Sequence, residues 1–292
     1  MKNKQVFRWV RWFGLLIILV NITYTLMIHQ TKGSAKAPSV HALCPFGGLE
    51  SLFSYFSTGT LIPKILTSTF LILIVTIVIS ILFRRSFCGI LCPFGALQEV
   101  FAKIGQAVFK KRLIIPAIID KPLRYAKYVV FIITIGGAWA TRTLWWVNYD
   151  PYSTAAHIFR GLPALWAGLA FGSIILLIMM LGSFLYDRFF CKYFCPLGVF
   201  IAIIGYFSPS RVVRDDSVCI HCNLCSKVCP VNIPVASEKE VLTPECISCH
   251  ECIDVCPKEG AIGFFIGRKP VSILLTWVLV MVLFFVPIFL FR

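Results

Sequence analysis

Eight of the 13 cysteines lie in two runs that share one spacing, C-x2-C-x2-C-x3-C followed by proline. Each run brings three thiolates together on a tight loop, where they can bind three irons of a [4Fe–4S] cube, and its fourth cysteine reaches the other cube. The spacing predicts cluster 1 on Cys219, Cys222, Cys225 and Cys256. It predicts cluster 2 on Cys246, Cys249, Cys252 and Cys229.

Two other uses of these eight cysteines are less well supported. Disulfides do not persist in a reducing cytoplasm, and a zinc site gives no reason for two four-cysteine runs whose fourth members cross. The segment from Arg211 to Phe264 carries five basic and eight acidic side chains in an otherwise basic protein. We expect residues 209–266 to form a small cytoplasmic α+β domain of the bacterial 2[4Fe–4S] ferredoxin type, whose acidic surface is solvated or faces a basic redox partner.

A second constellation consists of two Cys-x3-Cys-Pro motifs, Cys88/Cys92 and Cys191/Cys195. On a helix, residues four apart lie on one face about a turn apart, so each motif can present two thiols together. The two motifs could therefore supply four thiolates to a third iron–sulfur centre. A redox-active dithiol pair, or four buried cysteines without a cofactor, are the alternatives.

The thirteenth cysteine, Cys44, falls outside these groups, and we expect it on the outer side of a membrane. His29, Glu50, Asp150 and His157 lie near it in sequence or by repeat symmetry. Such an outer-face site could accept quinol protons, bind a metal or contact an exported partner, and a structural role is the alternative. No residue is predicted to act as a general acid, base or nucleophile, so redox chemistry would belong to the cofactors.

The elements that carry these motifs are apolar. Of the 292 residues 58% are hydrophobic and 14% are charged, against roughly 25% charged in an average soluble domain. Five runs approach the roughly 20 helical residues that cross a bilayer core: Phe13–Ile28, Ile65–Phe83, Tyr128–Ala140 with an aromatic extension to Val147, Leu162–Tyr186, and Val271–Phe291. This pattern excludes a disordered chain, a secreted disulfide knot and an ordinary cytosolic enzyme.

Basic residues predict the orientation of these runs. Of the 28 Lys and Arg residues, 22 lie on the side of the N-terminus and six on the opposite side. The positive-inside rule then places the N-terminus and the cysteine-rich domain in the cytoplasm, and the C-terminus outside the cell membrane. The net charge of +15 is thus mainly a topology signal and a contact for anionic lipid, not a nucleic-acid footprint. The first run also resembles a cleavable signal peptide, but its internal counterpart favours retention.

That counterpart is part of an internal repeat. An apolar run, an X-Pro turn, a second run and a Cys-x3-Cys-Pro motif occur twice, with offsets of 106 and 103 residues at the two motifs. Because each copy holds two helices, the copies run parallel, related by an axis along the membrane normal. We predict an all-α membrane protein. Residues 1–208 form a four-helix domain of two parallel two-helix repeats, residues 209–266 the inserted domain, and residues 267–292 a fifth transmembrane helix.

With both cysteine constellations, residues 10–265 resemble the NapH/NosR-like membrane polyferredoxins. The resemblance implies an electron-transfer subunit of quinol dehydrogenase type, with [4Fe–4S] clusters on the eight cysteines of the double run. Such a subunit passes electrons from the membrane quinone pool toward an exported reductase. Two features depart from this pattern. Cys44 stands where an Asp-Pro or Asn-Pro turn is expected, and the fifth helix is more like the polyferredoxins that reduce copper during cytochrome oxidase assembly.

The leading hypothesis is therefore a membrane-bound protein that relays electrons between cytoplasmic-side clusters and quinone or an exported redox protein. Its expected partners are the lipid bilayer, the quinone pool and a redox protein, with no nucleic acid. A copper-reducing assembly factor and a redox sensor are the alternatives. The direction of electron flow is not readable, because reduction potentials depend on the surroundings of each cluster.

Overall fold

A computed structural model describes residues 2–32, 44–59, 67–141, 145–158 and 161–290, most of which are helical. The helices are α1 (Lys2–Lys32), α2 (Pro45–Thr58), α3 (Thr67–Phe83), α4 (Pro93–Phe109), α5 (Ala117–Leu123), α6 (Ala126–Thr141), α7 (Pro151–His157), α8 (Leu162–Leu185), α9 (Phe189–Tyr193), α10 (Pro196–Tyr206), α11 (Leu224–Val228), α12 (Glu251–Asp254) and α13 (Ile273–Leu290). A π-helical turn spans Phe87–Leu91.

The elements before residue 208 occur in the same order in two halves. The first half runs through α1, α2, α3, the π-helical turn and α4, and the second through α6, α7, α8, α9 and α10. Each half has the two long helices that the repeat predicts. Each also has a short helix between them and a further helix after its cysteine motif, both absent from the prediction. The extra helices arise because each X-Pro motif starts a helix.

Proline sets the start of α2, α4, α7 and α10, where it occupies the first turn. Proline is well suited to that position because its missing N–H would have no partner there and its φ is already helical. The residue in front of each proline is the N-cap: Cys44, Cys92, Asp150 and Cys195 in chain order. Three cysteines of interest thus lie at helix N-termini, which carry partial positive charge.

Residues 210–266, which we call the insert, contain an antiparallel sheet. Its strands are β1 (Ser210–Arg214), β2 (Glu240–Val241) and β3 (Ile262–Ile266), and β4 (Lys269–Val271) adds to its edge in the order β2-β1-β3-β4. β1 and β3 pair over their whole length, from Ser210 opposite Ile266 to Arg214 opposite Ile262. Since these strands are the first and the last of the insert, their pairing closes the intervening cysteine-rich loops into one unit.

One hydrophobic core joins the helices to the insert. Ile79 and Ile90, which come from α3 and the π-helical turn, belong to the same buried cluster as Val212, Ile247 and Phe264 of the insert. Val280 of α13 completes it from the other side. The insert is therefore seated on the helical part through apolar contact.

One helix among the described residues, Val6–Thr31, is long and apolar enough to cross a membrane, with mean hydropathy 1.7. Shorter apolar helices span Thr69–Phe83, Ala170–Leu185, Pro196–Tyr206 and Ile273–Ile288. The five predicted crossings therefore stay a prediction. Parts of the second and third predicted runs, residues 65–66 and 142–144, lie outside the described residues.

A close approach of α4 to α8 yields a test of the packing. A Cβ on Gly105 would overlap the carbonyl oxygen of Phe184, whereas a Cβ on Gly136 in α6 would meet no described atom within 4 Å. Overpacking typically costs about 1–3 kcal/mol, so Gly105→Ala should lower the thermal unfolding midpoint of the detergent-solubilised protein. Gly136→Ala is the matched control and should leave the midpoint unchanged or raised, because alanine is the better helix former. Equal midpoints for the two variants would contradict this packing.

Candidate metal centres

The insert contains a cavity lined by the four cysteines Cys219, Cys222, Cys225 and Cys256. Cys219 and Cys222 lie on the loop that leads into α11, Cys225 lies in the first turn of α11, and Cys256 follows α12. Two residues of the loop, His221 and Asn223, have positive φ, at 53° and 59°. Non-glycine residues adopt this left-handed conformation infrequently, and here it winds the loop tightly around its cavity.

A second cavity of the insert is lined by Cys229, Cys246, Cys249 and Cys252, again four cysteines. Its loop repeats the backbone of the first, since Ser248 and His250 flank Cys249 with φ of 49° and 59°. Each cavity combines three cysteines of one run with the fourth cysteine of the other. These are the two crossed sets that the spacing predicts.

The donor geometry distinguishes a cluster from a single ion. Each cavity is surrounded by four cysteines, the number of protein ligands that one cube takes. Zinc requires four ligands at about 2.0–2.3 Å from one point, whereas a cube spreads its four thiolates over four irons. The cysteine sets around the two cavities thus fit a polynuclear centre.

The two cavities differ in exposure. Cys222 of the first is exposed, and hydrogen bonds from the His221 backbone N–H and the Arg214 side chain lower the pKa of Cys219. In the second cavity burial raises the pKa of Cys229 to about 11. His250 beside it is buried against the ring of Phe264, and burial together with Arg11 lowers its pKa to about 3, so its ring is neutral at physiological pH. The second cavity is the deeper one.

The Cys-x3-Cys-Pro motifs meet in a third place, inside the helical part. Cys92, Cys191 and Cys195 line one cavity, and Cys88 is buried close enough to interact electrostatically with all three. The thiols of Cys92 and Cys195 accept hydrogen bonds from the Gly95 and Gly198 N–H groups, each at 3.4 Å. The four cysteines from the two halves are therefore neighbours.

Cys44 is expected apart from the other cysteines, on the outer side of a membrane, but it lies beside this group. It lines the same cavity as Cys92, Cys191 and Cys195, and Asp150 lines it as well. The reason lies in the short helices α2 and α7, whose N-termini, and not their C-termini, point at the cavity. The extra cysteine thus lies on the wall of the third site.

An adjoining small cavity is lined by Cys44, Asp150, Glu50 and Ser153. Glu50 is only 3% exposed, and its Oε1 has no hydrogen-bond partner among the described residues. Asp150, in contrast, caps α7 by accepting hydrogen bonds from the N–H groups of Tyr152 and Ser153, at 3.2 and 3.1 Å. The wall of the third site on this side carries two buried carboxyl groups.

The third site touches the second cavity of the insert. A Cβ on Gly89 would overlap the Ile247 carbonyl oxygen and would lie 3.1 Å from the backbone nitrogen of Cys249. Gly89 immediately follows Cys88, so a cysteine of the helical part and one of the insert are separated by a single layer of backbone. Only glycine leaves room for this approach.

Basic side chains of the helical part hold the insert in place. Arg84 donates to the Val241 and Leu242 carbonyls at 2.8 and 2.7 Å, and Arg112 and Arg124 donate to the Cys229 and Val231 carbonyls at 2.5 and 2.9 Å. From the sequence alone, these arginines indicate only membrane topology. Their contacts depend on the tertiary fold, so the sequence offered no sign of them.

Part of the acidic surplus of the insert faces the same interface. Glu245 pairs with Lys127, Glu251 with Arg11 at 2.6 Å and Asp254 with Arg8 at 3.6 Å. We expected a solvated acidic face or one that meets an external partner. These three carboxylates instead bind the protein's own basic residues.

A buried ionic network, not predicted from the sequence, connects the second and third sites. Glu99 of α4 binds Arg11 and Arg188 at 2.6 and 2.7 Å. Arg11 also donates to the Gly89 carbonyl at 3.1 Å, and Arg188 donates to the Cys88 carbonyl. Both arginines are fully buried. One feature of the sequence could have indicated that arginines belong to the third site. Arg85 and Arg188 each stand three residues before the first cysteine of a motif.

Paired four-cysteine cavities on an antiparallel sheet define a ferredoxin-type 4Fe–4S protein, and comparison with known sequences agrees. The family described as a 4Fe-4S binding domain matches residues 65–116 and 169–214, so it covers both Cys-x3-Cys-Pro motifs. The 4Fe-4S dicluster domain family matches residues 211–257. No solved structure matches the chain.

Relatives extend over most of the chain. The putative electron transport protein YccM of Escherichia coli is 28% identical over 268 residues, which cover 88% of this chain and 73% of the relative. An uncharacterized protein of Methanocaldococcus jannaschii is 30% identical over 67% of this chain and 76% of its own length. Protein NirI of Paracoccus denitrificans is 30% identical over 51% of this chain but only 21% of its own length.

The chain belongs to the NosR/NirI family of ferredoxin-type electron transport proteins. It is an iron–sulfur electron transport protein. The resemblance stated from the sequence is thereby confirmed.

The Glu99 network yields a second test. Glu99→Gln removes the carboxylate that binds two fully buried arginines, and breaking a buried ion pair typically costs about 3–5 kcal/mol. The variant should therefore unfold at a markedly lower temperature than the wild type in detergent. Glu240→Gln is the matched control, because its pair with Arg211 is 38% and 34% exposed and such surface pairs contribute at most about 1 kcal/mol. A Glu99→Gln midpoint equal to that of the control would rule out the network as a stabilising element.

Proposed function

We propose that the protein relays electrons along three iron–sulfur centres, from the exposed cavity of the insert through its buried cavity to the third site between the two halves. The observation that carries this proposal is the contact of Gly89 with Cys249. It brings the backbone between two cysteine sets into van der Waals contact, which is what a continuous electron path requires. The order of the sites follows their burial, since Cys222 is exposed and Cys249 is buried.

The proposed ligands are the residues that line each cavity. Cys219, Cys222, Cys225 and Cys256 would hold cluster 1, and Cys229, Cys246, Cys249 and Cys252 would hold cluster 2. Cys88, Cys92, Cys191 and Cys195 would hold the third centre. Iron–sulfur clusters, when bound, supply one-electron transfer without making or breaking bonds in the protein. The chain's own part is to bind them, to exclude water from the inner two sites and to fix their separation.

The membrane topology is part of the same proposal. Exposed apolar side chains follow one face of α1, with Trp9, Phe13, Ile17 and Val20 each 59–67% exposed. A surface of this kind is unfavourable in water and suits lipid. We infer that α1, α3, α6, α8 and α13 cross the bilayer, with the insert on the cytoplasmic side. The basic residues that dock the insert lie on that same side.

The acceptor or donor of the third site would reach it from the wall formed by Cys44, Asp150 and Glu50. Quinone chemistry couples electrons to protons, and buried carboxyl groups beside a redox site are suited to moving protons. We therefore assign the quinone pool, or an exported redox protein in contact with this wall, as the partner. Copper reduction at Cys44 is the second candidate, supported by the position of this extra thiol on the wall of the site.

Iron content tests the number and location of the centres. The anaerobically purified wild type should contain about twelve irons, for three cubes. The quadruple Ser variant of Cys88, Cys92, Cys191 and Cys195 should retain about eight, and low-temperature EPR should lose one signal. A matched quadruple Ser variant of Cys219, Cys222, Cys225 and Cys256 should also retain about eight irons but lose a different signal.

About eight irons in the wild type and in the first variant would exclude the third centre. Fewer than about eight in the wild type, with occupancy confirmed by reconstitution, would overturn the assignment of the two clusters in the insert. Equal losses of the same signal in both variants would contradict the separation of the sites.

Proteoliposomes test the partner. Added quinol should reduce the clusters of the wild-type protein, with dithionite as the control that shows they are reducible. If quinol is inert while copper ions oxidise the dithionite-reduced protein, and Cys44→Ser abolishes that oxidation, the copper function replaces the quinone function. A protein that shows no steady turnover with any donor and acceptor pair would be a redox sensor.

A further inference from the structure

Arg85 and Arg188 occupy equivalent positions in the two halves. Each stands three residues before the first cysteine of a Cys-x3-Cys-Pro motif. Arg85 is 3% exposed and Arg188 is fully buried. Arginine is almost never buried without a partner. Two buried arginines at the same site therefore indicate that both interact with one anionic group.

The two guanidinium groups cross over to the opposite half. The Nη2 of Arg85 lies 2.7 Å from where a Cβ on Gly198 would be, in the second motif. The Nη1 of Arg188 lies 2.9 Å from where a Cβ on Gly95 would be, in the first motif. Glycine two residues after the proline of each motif therefore makes room for the arginine of the other half. Each arginine is wedged against the turn that carries the second cysteine of the partner motif.

Carboxylates balance the charges of these arginines only in part. In the part of the chain that the structure describes, Arg85 forms no ion pair, and it contacts the Pro244 carbonyl at 2.9 Å and the Cys88 thiol. Glu245 is the carboxylate that acts on it electrostatically, but Glu245 is already bound to the buried Lys127. Its Nε is buried without a hydrogen-bond partner. Arg188 shares the single carboxylate of Glu99 with Arg11. The three guanidinium groups of Arg11, Arg85 and Arg188 and the ammonium of Lys127 thus face the three carboxylates of Glu99, Glu245 and Glu251.

A buried charge without a counter-charge costs several kcal/mol. Neutral thiols on Cys88, Cys92, Cys191 and Cys195 would leave that cost in place, whereas four metal-bound thiolates would remove it. The charge balance therefore favours an anionic, metal-bound group at this site over a dithiol pair or four structural cysteines.

We infer that Arg85 and Arg188 are the built-in counter-charges of the third centre and that they raise its reduction potential. The inference rests on the proposed function, since it requires the third centre. An added electron makes a thiolate-bound cluster more negative, and a nearby fixed positive charge stabilises that reduced state. Burial keeps the interaction strong because little water screens it. Charge and hydrogen bonding close to the cysteine sulfurs are known means by which proteins tune cluster potentials.

The test is an EPR-monitored redox titration of the full-length, cluster-loaded protein in detergent. Arg85→Gln keeps a side chain that can donate to the Pro244 carbonyl but removes the charge. At a fixed solution potential it should lower the ratio of reduced to oxidised third centre at least tenfold, which equals about 59 mV for a one-electron couple. Arg85→Lys retains the charge and should stay within threefold of the wild type. Arg188→Lys should do the same.

Lys103→Gln is the matched control, because it removes one positive charge from an exposed position on α4. It should leave the potential of the third centre unchanged. The signals of the two clusters in the insert serve as internal references and report that each variant is folded.

The outcomes separate the inference from the function it rests on. A third signal whose potential is the same in Arg85→Gln and the wild type would overturn the inference and leave the three-centre relay intact. If Arg85→Gln lost the third cluster, Arg85→Lys would decide, since a wild-type potential there supports the role of charge and a large shift refutes it. A wild type with about eight irons and no third signal would overturn both.

Discussion

The contact between the first Cys-x3-Cys-Pro motif and the second cysteine loop of the insert is the constraint on which the rest depends. Gly89 leaves no space between the two backbones, and Arg11, Glu99 and Arg188 surround this point with buried charge. Charged groups are expensive to bury, so they must be paired within the fold. The ionic network therefore fixes how far the insert lies from the helical part, and an electron path needs that distance to be constant.

The insert is held against the helical part by the opposite charges of the two regions. The helical part is basic on one side and the insert is acidic. Arg84, Arg112 and Arg124 donate to main-chain carbonyls of the insert, and carboxylates of the insert bind Arg11 and Lys127. Carbonyl contacts do not depend on side-chain identity in the insert, so they hold its loops without constraining the cysteine spacing. The residues that dock the insert are among those that the positive-inside rule counts.

The two halves of the helical part each contribute helix N-termini and cysteines to one site. Four helices, whose N-caps are Cys44, Cys92, Asp150 and Cys195, point their N-termini at a common cavity. N-termini carry partial positive charge, as do the arginines nearby, so the whole site is suited to an anionic group. This arrangement also gives Cys44 and Asp150, which are equivalent in the repeat, a shared wall next to the buried Glu50. The asymmetry between a thiol and a carboxylate at those positions is a property of this chain.

The sequence by itself determined the two crossed cysteine sets of the insert, the repeat and the family, because local spacing decides which thiols a tight loop can bring together. It also determined that Cys88, Cys92, Cys191 and Cys195 form a group, since the repeat relates them. Only the tertiary structure decided that Cys44 lies with them, and that Arg85, Arg188, Arg11 and Glu99 surround the site. Arg85 and Arg188 do recur at one position of the repeat, but the spacing does not show that they are buried or that Arg11 and Glu99 join them. Those contacts follow from the packing of the helices against the insert. A buried charge is visible only once the fold shows what covers it.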